Sequence, residues 1–333
     1  MPPVPNDSPP TIHHDPLSGR PVFIAPRRAD RPSDLGGPTR NPCPFCAGNE
    51  SLTAADLLRW PGQAEGTWKA RIVPNRYPVV EPLVAAGGQG DPGGPSISPA
   101  HGLHEVVIES PDHVGSVRAV PAADWQQVWE LCRQRLGQLA ADGRFTWATL
   151  FKNGGPAAGA SLEHVHSQLI ALDRVPPTIE AKCRQLAVTA NQFTRLIEQA
   201  EAAGRMVSQH DGLVALVPPA PRQPFEVWLV PEKPAAFFHE ATGPQVQAVA
   251  ALTQGFATAL DRLVPQASFN WWLHQFPFVD AAKLQPLADH WHWHLEILPR
   301  LAPLAGFELG TGCHISTIPP ATAAQLLRET GCW

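Results

Sequence analysis

The sequence predicts an α+β fold made of two similar halves, each built on an antiparallel sheet, with the division near residue 190. Two observations carry this. The segments HEVVIESPDH (104–113) and FEVWLVPEKP (225–234) are each followed by a helical stretch, a strand, and a last strand bearing His-x-His, which marks an internal repeat. The spacings agree as well: 59 residues separate Glu105 from His164, and 66 separate Glu226 from His292.

In chain order, PVFIAP (21–26) reads as a strand leading into an arginine-bearing loop, RRADRPSDLGGP. NPCPFCAGNE (41–50) is a turn-rich knuckle, and WKARIVPNRYPVV (68–80) is a strand punctuated by Pro74, Asn75 and Pro78. The Gly/Pro/Ser-rich stretch 85–100 predicts a mobile surface loop. Strands follow at 104–111, 145–153 and 162–172, with an amphipathic helix over 122–142. After helical sequence at 178–203 come strands at 213–219 and 225–234, a helix at 243–262, and strands at 269–276 and 290–299.

Composition narrows the function classes. The 333 residues, 44% hydrophobic and 17% charged, exclude a disordered or collagen-like chain and suffice for one large or two medium domains. With 25 Lys+Arg against 30 Asp+Glu the net charge is -5, so no positive excess tracks a nucleic-acid backbone and any phosphate site rests on a few local arginines. The start, MPPVPNDSPP, has neither a basic nor an apolar leader region, and no run reaches the roughly 18 apolar residues of a membrane span. No membrane partner and a cytoplasmic location are therefore expected. Of six cysteines only Cys43 and Cys46 lie close together; Cys132, Cys183, Cys313 and Cys332 read as core fillers or incidental. The unusual quantity is histidine, with fourteen.

In SLEHVHSQLI a period of two puts Leu162, His164, His166, Gln168 and Ile170 on one strand face, whereas a helix would turn the two histidines about 200° apart. The preceding GGPAAGAS, with Gly159, lets backbone N–H groups approach an anion. Asn153, Ser161 and Gln168 supply neutral hydrogen-bonding groups, and Arg28 and Arg31 supply fork-shaped donors. Together they predict a phosphate site containing an imidazole. A neutral imidazole nitrogen attacks phosphorus directly once its other nitrogen is held as a donor, splitting one transfer into two easier steps.

The Cys43/Cys46 pair suits two thiolates on one zinc better than a redox couple, because no helix frame follows it; coincidence is the third reading. His113 and one of His164 or His166 would close a structural Cys2His2 set. In the second half, His290, His292, His294 and Glu296 alternate with Trp291, Trp293, Leu295 and Ile297, and His274 lies on the preceding strand. Three imidazoles and a carboxylate suit zinc or iron, with Glu180 as the carboxylate and Glu296 as the alternative; ordinary packing is the blander reading.

The ordered set PRRADRP, CPFCAGNE, VPNRYP, ESPDH, FKNGGPAAGASLEHVHSQ, HWHWH and FELGTG resembles the galactose-1-phosphate uridylyltransferase family, whose halves look like the histidine-triad fold. The resemblance implies tandem histidine-triad-like domains, 1–190 with the nucleophile and a structural zinc site, and 191–333 with a second metal site. It implies ping-pong nucleotidyl transfer in which His166 attacks the α-phosphorus of a nucleotide sugar and Gln168 stabilises the nucleotidylated histidine. Cys43, Cys46, His113 and His164 match the zinc set, and Glu180, His274, His292 and His294 the second set, zinc or iron. Arg28, Arg31, Asn153 and Ser161 match phosphate contacts and Asn75 a nucleotide contact, while Phe307 and Glu308 of FELGTG join Gly159 among the substrate-binding positions. A homodimer is implied too.

The favoured substrates are UDP-glucose and galactose 1-phosphate. ASLEHVHSQ and AGFELGTGCHIS look at least as similar to an ADP-sugar phosphorylase branch that uses inorganic phosphate as acceptor. The sequence HVHSQ stands where uridylyltransferases usually carry HPHGQ, and Arg76 follows Asn75 where they carry an acid. A non-catalytic zinc- and nucleotide-binding protein is the rival of another class.

Overall fold

The computed structural model describes residues 8–30, 42–61, 68–82, 97–278 and 286–333. Arg31, and the predicted loop as far as residue 96, lie outside them. The strands are β1 (Thr11–His14), β2 (Pro21–Ile24), β3 (Leu58–Trp60), β4 (Ala70–Pro74), β5 (Ile97–Pro99), β6 (Gly102–Ile108), β7 (Trp147–Gly154), β8 (His166–Leu172), β9 (Met206–His210), β10 (Leu213–Leu216), β11 (Val227–Pro231), β12 (Phe269–His274) and β13 (His294–Pro299). The helices used below are α1 (Ala122–Asp142), α2 (Pro177–Val188), α3 (Gln192–Ala202) and α4 (Gly243–Leu263).

Strands β2, β1 and β5 form a small antiparallel sheet. The other ten form one sheet in the order β3-β4-β6-β8-β7-β12-β13-β11-β10-β9, antiparallel throughout. Its middle is the β7–β12 pair, where Asn153 faces Asn270 and Phe151 faces Trp272. The two halves thus share one antiparallel sheet. Outward from that seam the halves mirror each other: β7 matches β12, β8 matches β13, and β6 matches β11.

Residues paired across an antiparallel ladder share a face. Leu150, Leu169, Trp271, Leu273, Leu295 and Ile297 fall on one face and are buried under α1 and α4. α1 supplies Trp125, Val128, Trp129, Cys132, Leu136 and Leu139 at helical spacing, and the buried Trp125 indole donates to Thr253 Oγ1 of α4 at 3.0 Å. Phe151, Gln168, Trp272, His274, His294 and Glu296 fall on the other face. Chemistry-bearing side chains are therefore gathered on the face that α1 and α4 leave uncovered.

Several elements depart from expectation for identifiable reasons. The helical stretch 178–203 is two helices, parted at Asn191, whose φ of 60° is left-handed. Both His-x-His strands begin at their second histidine: β8 starts at His166 and β13 at His294. The preceding backbone is engaged elsewhere, since Val165 N–H donates to Val114 O at 2.7 Å and Trp293 N–H to Ala235 O at 2.7 Å. His164 and His292 consequently do not continue the strand face, and neither does His290.

Candidate active site

His166 opens β8 beside the GGPAAGAS turn and is 6% exposed. Its Nδ1–H donates to His164 O at 2.7 Å, which places the imidazole lone pair on Nε2. Beside it lies a cavity of about 230 Å³ lined by Asn153, Gly154, Gly155, Pro156, Ala160 and Leu162 among others. Gly155 (φ 86°) and Gly159 (φ 82°) both adopt positive φ, the conformational reason for glycine in this turn. Ser161 lies between the lining residues Ala160 and Leu162, and Asn153 Oδ1 accepts from Asn270 Nδ2 at 2.8 Å across the seam.

Gln168, the next residue on the same face, has its Oε1 2.9 Å from His104 Nε2. Val79 N–H donates to His104 Nδ1 at 3.2 Å, so Nε2 carries the proton and donates to the Gln168 carbonyl; the other end of that amide is left to act as donor. Asn75 is a turn cap whose Oδ1 accepts from Tyr77 N–H at 2.8 Å; its Nδ2 lies 3.0 Å from the same His104 Nε2, two donors facing each other rather than a hydrogen bond in this tautomer. Arg28 donates to Tyr77 O at 2.7 Å and fastens the arginine-bearing segment to the same loop. Burial lowers its pKa.

Behind β8 is a charged network that sequence reading missed. Lys152 pairs with Glu109 and donates to His166 O at 2.8 Å, while Ser167 Oγ donates to Glu109 Oε1 at 2.5 Å. Burial lowers the Lys152 pKa, opposed by the Glu109 charge. The signal available in the sequence is one acid at the end of an apolar strand and one base within another, a pattern that calls for pairing once both are buried. His104 was missed as well, since a lone histidine in a strand has many uses. Phe45, between the two cysteines, packs on the His164 ring at 5.8 Å and the His166 ring at 5.4 Å, joining the knuckle to the imidazole site.

The knuckle forms the first predicted cluster. The ligand atoms of Cys43, Cys46, His113 and His164 all lie within 4.8 Å of one another. Cys43 Sγ and Cys46 Sγ are 3.5 and 3.6 Å from His164 Nδ1, and Cys46 Sγ is 3.5 Å from His113 Nδ1. His164 Nε2–H donates to Ser110 O at 2.9 Å, which orients Nδ1 toward the thiols as a ligand needs. Burial lowers the His164 pKa to about 4, and burial with the neighbouring Cys43 raises Cys46 to about 11. Two sulfurs and two nitrogens at tetrahedral spacing fit one metal ion and leave no position for substrate.

The second cluster takes the alternative carboxylate, Glu296, in place of Glu180, and lacks His292. His274, His294 and Glu296 come together, but Glu180 does not: it is exposed on α2 and pairs with Arg184 at 3.7 Å. His292 turns away, its Nδ1–H donating to Pro231 O at 2.7 Å and its ring stacked on Phe193. Lys182, also unanticipated, reaches the cluster instead, its Nζ 2.6 Å from His294 Nε2. The FELGTG segment forms a short helix, Gly306–Thr311, where Phe307 is 54% exposed and Glu308 accepts from Ala305 N–H at 3.1 Å. Neither is among the residues that line the His166 cavity. Of the isolated cysteines, Cys132 is buried in the core and Cys313 is exposed.

The model of a domain family described only as of unknown function, DUF4921, matches residues 114–330. ADP-glucose phosphorylase of Arabidopsis thaliana is 30% identical over 332 residues, covering 96% of this chain and 93% of the relative. Galactose-1-phosphate uridylyltransferase of Thermotoga maritima is 24% identical, covering 96% and 98%. The crystal structure of an Arabidopsis thaliana ADP-glucose phosphorylase with bound ADP-glucose superposes with a TM-score of 0.74 at 28% identity, covering 96% of this chain and 99% of that one. Similarity at this level along nearly the whole chain, together with the His166 and knuckle geometry, makes the chain a member of the nucleotidyltransferase family that includes galactose-1-phosphate uridylyltransferase and ADP-glucose phosphorylase.

Proposed function

We propose that the protein transfers a nucleotidyl group through a covalent nucleotidyl-His166 intermediate. The observation that carries this is the Nδ1–H bond to His164 O, which presents Nε2 as the nucleophile beside a glycine-lined cavity. Nε2 attacks the α-phosphorus of a nucleotide sugar, the bond to the bridging oxygen breaks, and sugar 1-phosphate departs. An acceptor phosphate oxygen then attacks the same phosphorus and the P–N bond breaks. The Gln168 NH2, Asn153, Ser161, Arg28 and Arg31 hold phosphate oxygens, Asn75 contacts the nucleotide, and Phe307 and Glu308 serve the sugar end. Cys43, Cys46, His113 and His164 hold a structural zinc ion, which braces the backbone that His166 leans on.

Two substrate pairs fit. UDP-glucose with galactose 1-phosphate is the pair favoured as the commoner activity of the family; ADP-glucose with inorganic phosphate is favoured by identity, 30% against 24%. A cytoplasmic homodimer belongs to the same reading. Among the described residues no helix is long and apolar enough to cross a membrane.

Intact-protein mass measurement after incubation with UDP-glucose and ADP-glucose in parallel tests the proposal. A uridylyl or adenylyl increment names the nucleotide, and its loss on adding galactose 1-phosphate or inorganic phosphate names the acceptor. His166→Gly is expected to form no adduct; an adduct that persists in that variant removes His166 from the role, and nucleotide binding without any adduct makes the protein a binding module.

A further inference from the structure

The mirrored halves place His294 where His166 stands, and its Nδ1–H donates to His292 O at 2.9 Å just as that of His166 donates to His164 O. What meets the other ring nitrogen differs. Lys182 Nζ lies 2.9 Å from His274 Nδ1, 2.6 Å from His294 Nε2 and 2.5 Å from Glu296 Oε1. An ammonium has three N–H donors, and these three acceptors use all of them. The Trp228 ring lies 5.2 Å from the same Nζ.

Charge closes around this centre. The second Glu296 oxygen accepts from Arg222 at 2.6 Å, and Arg222 also pairs with Glu226 at 2.5 Å. Two cations face two carboxylates, so the pocket is balanced without a further ion. A metal bonded to the same three acceptors at about 2.0–2.2 Å would overlap Nζ. The cluster does not fit a resident metal while Lys182 is in place.

We infer that the Lys182 ammonium fills the position of the second metal and that the chain carries one metal ion, held by Cys43, Cys46, His113 and His164. Removing the lysine opens a vacant His274–His294–Glu296 site, and Arg222 still pairs with Glu296 there. The inference does not depend on which nucleotide is transferred.

The test counts ions per chain by elemental mass spectrometry on the full-length protein after equilibration with Zn2+ or Co2+ and desalting. Wild type is expected to hold one ion and Lys182→Ala two. With Co2+, the added ion should contribute nitrogen/oxygen ligand-field bands without increasing the thiolate-to-cobalt charge-transfer absorption of the first. Two ions in wild type, one of them lost in Glu296→Ala, overturns the inference, and so does a folded Lys182→Ala protein that stays at one. The wild-type count decides even where a variant fails to fold.

Discussion

His164 and His294 are held neutral by burial, with pKa values lowered to about 4 and about 3. Their unfolded counterparts take up a proton near pH 6.5. The folded metal-free chain refuses that proton, so the stability these histidines provide is present above about pH 6.5 and is lost as pH falls toward their folded values, by up to about 1.4 kcal/mol per pH unit for each. The melting temperature of metal-free protein is expected to drop between about pH 7 and about pH 5, with a shallower slope for His294→Asn. A flat profile, or an unchanged slope in the variant, contradicts this account. Residue-level legibility followed the same local logic. Cys43, Cys46, His164 and His166 were readable because their spacing is short. Glu180 misled, since it and Lys182 lie two positions apart on α2 and so project about 200° from each other. The sequence locates that helix without telling its rotation about its own axis, and the rotation turned Lys182 inward.

At the scale of elements, the longer strands and helices were legible from apolar periodicity. The strands β1, β3, β5 and β9, three to five residues each, are too short to establish one. Where β8 and β13 begin depends on backbone partners in distant loops, which no local pattern encodes. Packing between β6 and β8 is tight at Gly102, where an added Cβ would sit 2.2 Å from Ala171 O. A backbone carbonyl within a ladder cannot swing aside, so Gly102→Ala must part the two strands, at a cost of about 1–3 kcal/mol in chemical denaturation. A loss below about 0.5 kcal/mol would mean that the strands separate freely there.

For the whole molecule, the recurring motif order made the duplication legible, but not the fusion of both halves into one sheet, because nothing in a strand's own composition names its edge partner. Division into units 1–190 and 191–333 remains our proposal, and the β7–β12 seam sets its consequence: each unit alone would expose a long edge strand. The intact chain is expected to melt in a single calorimetric transition, and the two fragments to form a stable complex only when produced together. Two separated transitions, or well-folded soluble fragments on their own, would count against a shared sheet. The cation on α2 also bears on metal supply. On the one-metal reading proposed above, a tethered ammonium cannot be chelated or diluted away, so metal withdrawal is expected to spare the C-terminal half and to act on the cysteine knuckle beside His166.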